Sequence, residues 1–281
     1  MTDRTRSTDR RRSTGSTEPA SGAASTGRRL GVDRRAVSET LGYILVFSII
    51  VTTISTVSVV GFTGLEDRQA AEEITNVERA LDVLRDNFAD LQRYEDPRRA
   101  TEVRLASGTL GTGESVRITL GQWDGGGFVS DRQTNVSFEP LVYRNDRSRV
   151  VYEAGVVFRG DRGRTIARSS TPFVDGGERA VIPVVATHPG GETTAVGGER
   201  TVLVVGERAP RGIKTSVFNS TVAGEDLRLR IDSPRADGWA RQLDAEGFNV
   251  NETLSDDTRV VADLAADRAS LPESHVDVRF R

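Results

Sequence analysis

The chain has 281 residues, 36% hydrophobic and 28% charged, with 38 basic and 41 acidic side chains, two histidines and no cysteine. The absence of cysteine excludes a disulfide framework, a thiolate metal site and a cysteine nucleophile, while the length allows one ordinary domain or two small ones with a sizeable core. The net charge of −3 averages two unlike parts: residues 1–36 hold nine arginines against Asp3, Asp9, Glu18 and Asp33, and the remainder carries −8.

Residues 1–32 are rich in Ser, Thr, Gly and Arg and nearly free of large apolar side chains. Such a segment cannot bury enough surface to offset ordering entropy, so residues 1–36 read as a disordered basic leader. It has no aromatic side chain for base stacking, and contact with nucleic acid is not expected; attraction to anionic lipid headgroups suits it better.

From Leu41 to Phe62 the chain runs for 22 residues without a charge. A helix of that length spans roughly 33 Å, enough to cross a hydrocarbon core of roughly 30 Å. The apolar run exceeds that of a secretory signal, and Gly61-Phe62-Thr63-Gly64 is not an A-x-A-like cleavage site. A membrane-spanning helix over 37–64 is therefore expected, with membrane lipid as its surroundings. Arg28, Arg29, Arg34 and Arg35 precede the span, whereas Arg68 and Arg79 are the only basic residues in the twenty after it. By the positive-inside rule the N-terminus stays in the cytoplasm and the C-terminal part is extracellular on a single-pass cell-membrane protein. Three sequons fall on the outward side, at Asn135, Asn219 and Asn251, and are candidate N-glycosylation sites.

The junction reads Asp33-Arg34-Arg35-Ala36-Val37-Ser38-Glu39-Thr40-Leu41-Gly42. It resembles the start of haloarchaeal type IV pilin-like membrane proteins, which carry an archaellin/pilin N-terminal domain with a class III signal peptide. The resemblance covers about residues 33–65. It implies that a prepilin peptidase, as a partner, cuts between Ala36 and Val37 and leaves the apolar helix on the mature chain. Other pilin-like subunits are then possible partners, meeting through Glu39 and through Ser48, Thr52 and Ser55 on one face of the span. Glu39 is third from the proposed cut, and Ser38-Glu39 stands where haloarchaeal pilins usually have Ser-Pro. The rest of the chain, with segments such as Pro140-Leu-Val-Tyr143 and Val181-Ile-Pro-Val-Val-Ala186, resembles haloarchaeal membrane proteins of unknown function that share this start.

Beyond the span, Ala70, Ile74, Val77, Leu81, Leu84, Phe88 and Leu91 recur at spacings of four and three, a heptad seam on one helical face. Glu72, Glu73, Glu78, Arg79, Asp82, Arg85 and Asp86 lie between them and are expected to keep the other faces wet. An amphipathic helix over 65–96 follows, running without a break from about Leu41 to Tyr94, with its seam against the protein's own sheet or, as the alternative, in an intermolecular coiled coil. From Pro97 the pattern changes to period two. Strands are expected at 102–106, 115–120, 149–152, 155–158, 179–185, 200–205, 227–231, 259–262 and 275–280, separated by glycine-rich turns at 111–113, 125–127, 160–163 and 190–191. A helix is expected near 234–246, with Ser233 as N-cap, Pro234 in its first position and Gly247 at its end. The fold class is thus α+β: a long N-terminal transmembrane helix continuing into an amphipathic helix, packed on an antiparallel β-rich extracellular head over 97–281. The pilin resemblance implies the same architecture.

No chemistry-bearing constellation emerges. His188 and His275 are 87 residues apart with no motif to pair them, and Thr187-His-Pro-Gly190 reads as a turn. Asp124-Gly-Gly-Gly127 reads as a hairpin turn rather than a calcium loop. No metal, no cofactor and no enzymatic activity are expected. Two functions remain: a type IV pilin-like surface protein (a filament subunit or accessory pilin), or a non-assembling anchored protein with a β-rich binding head.

Overall fold

The computed structural model describes residues 34–94, 96–161, 164–210, 212–220 and 226–281, with side chains for all of these except 34–38, 60–67 and 161. Residues 1–33 of the leader expected over 1–36 and the turn residues Arg162-Gly163 lie outside them, while residues 34–36 are helical. The chain divides into two compact units, residues 1–61 and 62–281. Helix α1, Arg34–Arg93, contributes to both.

In the first unit the large apolar side chains of α1 between Leu41 and Val59 are exposed: Tyr43 is 74% exposed, Leu45 63% and Ile54 60%. The segment Glu39–Val59 is 21 residues long with a mean hydropathy of 2.0, long and apolar enough to cross a membrane. Three of its threonine side chains are satisfied locally. Thr52 Oγ1 donates to the Ser48 carbonyl at 2.7 Å, Thr53 Oγ1 to Ile49 at 2.8 Å and Thr56 Oγ1 to Thr52 at 2.9 Å. Back-bonding of this kind leaves no hydroxyl proton unpaired on these threonines.

The second unit is α+β. The strands are β1 Arg98–Leu105, β2 Thr109–Thr112, β3 Val116–Trp123, β4 Phe128–Phe138, β5 Leu141–Arg144 and β6 Ser148–Glu153. They continue as β7 Val156–Asp161, β8 Arg164–Ala167, β9 Val174–Asp175, β10 Arg179–Val181, β11 Val184–Pro189 and β12 Ala195–Gly197. Then come β13 Arg200–Arg208, β14 Lys214–Asn219, β15 Asp226–Asp232, helix α2 Ala236–Ala245, β16 Asn249–Val250, β17 Arg259–Asp263 and β18 Arg268–Phe280. They form three sheets. The first runs β1-β13-β18-β10-β9, with β11 and β14 also on β18; the second runs β12-β2-β5-β6-β7-β8; the third runs β16-β17-β15-β3-β4.

Pairing is mostly antiparallel, but β10 and β11 both run parallel to β18. The expected strand 179–185 is therefore two strands. Pro183 has no N–H to give, so the ladder is interrupted there; Ile182 N–H still donates to the Ser270 carbonyl at 2.8 Å, and pairing resumes in the same register at Val184. Gly111, expected in a turn, lies within β2, where its missing side chain lets Thr194 and Ala195 approach: a Cβ there would come within 2.7 Å of both. The 125–127 turn forms as expected, with Asp124 Oδ1 accepting from Gly126 and Gly127 N–H at 3.0 and 2.9 Å.

Two cores hold the unit. In one, the heptad seam of α1 meets the first and second sheets: Ile74, Val77, Leu81, Leu84, Phe88 and Leu91 are all at most 3% exposed against residues such as Leu105, Tyr143, Tyr152 and Val204. The seam thus packs within the chain. In the other, the third sheet and α2 pack on the second sheet around Trp239, which stacks on Phe173 and meets Phe158 edge-on. Helix α2 starts two residues later than expected, with Arg235 rather than Ser233 at its N-cap. Ser233 still serves the turn, its Oγ accepting from Arg235 N–H and its carbonyl from Ala236 N–H. The end is as expected. Gly247 takes φ +85°, and Gly247 and Phe248 N–H bond back to Asp244 and Leu243, a Schellman closure.

Candidate functional site

Ala36 and Val37 lie in the first turn of α1, which begins at Arg34. Glu39 is exposed on the next turn, and Ser48, Thr52 and Ser55 are exposed along the span. The last three recur at spacings of four and three, so they share a helical face. Thr52 is committed to its own helix through the bond to Ser48.

The three sequons differ. Asn135 is exposed in the middle of β4, its Oδ1 accepting from Thr119 Oγ1 at 2.7 Å. Asn219 is exposed at the end of β14, and its carbonyl accepts from Gln122 Nε2; Thr221 of that sequon lies outside the described residues. Asn251 is half-buried with both amide atoms engaged: Nδ2 donates to Asp263 at 3.0 Å and Oδ1 accepts from Leu254 N–H at 3.2 Å. A glycan on Asn251 Nδ2 would disrupt this turn. Among the described residues Nδ2 of Asn135 and of Asn219 has no hydrogen-bond partner, so they are the better acceptors by geometry.

Two acidic residues expected on the wet side of α1 are instead buried against the sheets. Glu73, 8% exposed, accepts from Ala106 N–H at 3.1 Å, Ser107 N–H at 2.6 Å, Ser107 Oγ at 2.8 Å and Tyr143 OH at 2.6 Å. Desolvation raises the Glu73 pKa, but these four hydrogen bonds outweigh it and hold the carboxyl below its ordinary 4.5. The same contact and its burial push the Tyr143 phenol well above its usual range. Glu78, 6% exposed, bridges Arg159 at 3.1 Å and Arg168 at 3.2 Å. Nothing in a helical wheel marks these two as buried, because their partners are 33 to 90 residues away.

The two histidines meet. His188 is a strand residue of β11, not a turn residue, and the parallel pairing sets His188 opposite Asp277 and Ala186 opposite His275. The rings stack with centroids 5.2 Å apart, and His188 Nε2 shares a hydrogen bond of 2.9 Å with His275 Nδ1. Glu139 Oε2 is 3.4 Å from His188 Nδ1, and Glu273, which also faces Lys214 at 3.3 Å, is 3.9 Å from His275 Nε2. One ring must donate and the other accept in the bond between them. Among the described residues no group of three or more His, Asp or Glu side chains is arranged to hold a metal ion.

No curated protein matches the chain, and no solved structure matches it. Residues 35–279 match DUF7289, described as a family of unknown function. That match takes in the apolar helix, the latching carboxylates and the three sheets together, and the chain belongs to this family.

Proposed function

We propose that this is a type IV pilin-like surface protein: prepilin-peptidase cleavage between Ala36 and Val37 releases the basic leader, and the apolar helix then holds the head outside the cell membrane. On this reading the protein is not an enzyme; it is an accessory pilin or filament subunit. The observation that carries it is the junction itself, Arg34-Arg35-Ala36-Val37, set directly before the exposed apolar segment Glu39–Val59. The charge asymmetry of the flanks, which favours a cytoplasmic N-terminus, supports it.

The test is the mature N-terminus, read by mass spectrometry on protein from native membranes. A chain starting at Val37, lost when Ala36 is replaced by Phe, supports the pilin pathway. A chain that keeps Arg28–Arg35 overturns it.

The second reading, a non-assembling anchored protein with a binding head, is favoured by the threonine hydroxyls. Thr52, Thr53 and Thr56 all donate to their own helix, which leaves those protons unavailable to a neighbouring helix. Cross-linking of native cells separates the two: ladders of multimers through the span mark assembly, and monomer alone marks a simple anchor.

A further inference from the structure

The charge outside the basic arm is −8, yet four guanidinium groups line a single cavity of about 640 Å³ in the head. Arg147 comes from the β5–β6 turn, Arg149 from β6, Arg164 from β8 and Arg235 from the start of α2. Two of them are committed elsewhere in part: Arg235 Nε is held by the fully buried Glu153, and Arg147 has its own contacts. Arg149 and Arg164 are exposed, and their guanidinium groups make no hydrogen bond or ion pair to any described side chain.

The cavity also holds Asp146, Asp237 and Asp257. Asp237 is taken by Arg241 at 2.8 Å, while Asp146 and Asp257 are exposed carboxylates with no ion pair among the described residues. Val151, Phe158 and Pro234 also border it, with Phe158 fully buried and Val151 3% exposed. The space exists because position 160 lacks a side chain: Gly160 sits opposite Arg149 in the β6–β7 register and opposite Thr165 in β7–β8. Its backbone does not require glycine. A Cβ there would meet only the Arg164 carbonyl at 3.7 Å and Arg149 Cβ at 3.9 Å, ordinary contact distances.

Uncommitted guanidinium forks recognise a carboxylate or sulfate. Uncommitted carboxylates do the opposite; they repel a bare polyanion and accept hydrogen bonds from hydroxyl groups. The volume lies in the usual range for small-molecule sites. An inorganic phosphate would satisfy the arginines but not the aspartates. A nucleobase would need an open aromatic face, and Phe158 is fully buried against Trp239.

The geometry points to a binding site for an acidic saccharide, a sugar ring bearing a carboxylate or sulfate, with Arg149 and Arg164 holding the acidic group and Asp146 and Asp257 accepting from ring hydroxyls. The inference rests on the head alone, so it stands or falls separately from leader cleavage.

Full-length protein in detergent micelles is titrated calorimetrically with glucuronate, glucose 6-sulfate, glucose and inorganic sulfate. The expected result is binding of at least one acidic sugar, with glucose and sulfate each weaker by about tenfold or more, the loss expected when a charge-assisted pair or the ring contacts are missing. Arg149→Ala with Arg164→Ala lowers that affinity by a similar factor, and Gly160→Phe, which fills the cavity, abolishes it while the thermal melt is kept. Equal affinity for glucose, full competition by sulfate at matching affinity, no binding of either acidic sugar, or binding indifferent to the arginine pair would each overturn the assignment. If Gly160→Phe fails to fold, the arginine pair on the surface still decides the question.

Discussion

Helix α1 contains two stretches of similar length with opposite treatment of the same chemistry. Along Glu39–Val59 the apolar side chains are exposed, and Thr52, Thr53 and Thr56 bond to their own backbone. Along Glu73–Leu91 the seam is buried on sheets, and Glu73 and Glu78 reach across to partners far away in sequence. On the proposed membrane reading, the difference lies in what each stretch has for a solvent. A helix facing lipid must satisfy every polar group within itself. A helix on a sheet can bury a carboxylate, provided the sheet supplies donors.

The largest effects should come from breaking the second stretch. Phe88 is fully buried, edge-on to Tyr152 at 5.3 Å, and the Gly206 backbone sits against its ring. Phe88→Ala should cost ~3–5 kcal/mol, read as a lower urea midpoint of the head with membrane association unchanged. Of the same order is Glu153→Ala, which strands the Arg235 charge and the Trp239 Nε1 donor in the α2 core; breaking a buried pair on one side typically costs ~3–5 kcal/mol. Glu153→Gln should recover part of that loss by keeping an acceptor for Trp239. A melt unchanged by both substitutions would mean that the α2 core does not rely on this carboxylate.

Charge placed in the first stretch should act on the membrane and not on the head. Ile50→Arg adds roughly 2.5–3.5 kcal/mol of insertion cost at the centre of the span. Carbonate extraction should then release the protein, while the urea midpoint of the head stays in place.

Glu73 sharpens the contrast through pH. Its folded pKa is depressed, so its stabilising share is complete above the unfolded value of about 4.5 and is lost as pH falls through the lower folded value. The head should therefore lose stability on acidification below about pH 4.5. Glu73→Gln should flatten that part of the profile and cost ~1–3 kcal/mol at pH 7, since one oxygen is replaced by a donor facing donors. A profile identical to the parent would show that the latch is not charged in the folded state.

The smallest effect is expected at Thr52→Val. The hydroxyl bonds only within α1, so stability and membrane retention should change by less than about 0.5 kcal/mol. A loss of multimer cross-linking in this variant would instead assign that face to helix packing between subunits.

How much of this was legible depends on the range of the interaction. The uncharged run from Leu41 to Phe62 and the four-three spacing from Ile74 to Leu91 are local periodicities, and both mark their helices in the sequence. The α2 stop at Gly247 is local too, because it needs only one residue able to adopt positive φ. Strand boundaries were less visible. Short strands such as β9, β12 and β16 have two or three residues and no period of their own, and they exist only because a neighbouring strand offers a ladder. Pro183 could have signalled the break between β10 and β11, since a proline cannot donate inside a strand.

The candidate sites divide in the same way. The junction at Ala36–Val37, the apolar span and the sequons are strings of adjacent residues, open to direct reading. The His188–His275 contact, the burial of Glu73 and Glu78 and the arginine-lined cavity come from residues tens of positions apart. The parallel register of β11 on β18 creates the first, the seating of α1 on the sheets the second, and the meeting of β6, β7, β8 and α2 the third. The sequence by itself determined where the chain is apolar, helical or turning, because those properties depend on near neighbours. Tertiary structure alone decided which charges are buried, which histidines touch and where a cavity opens, because these depend on sheet register and packing between distant segments.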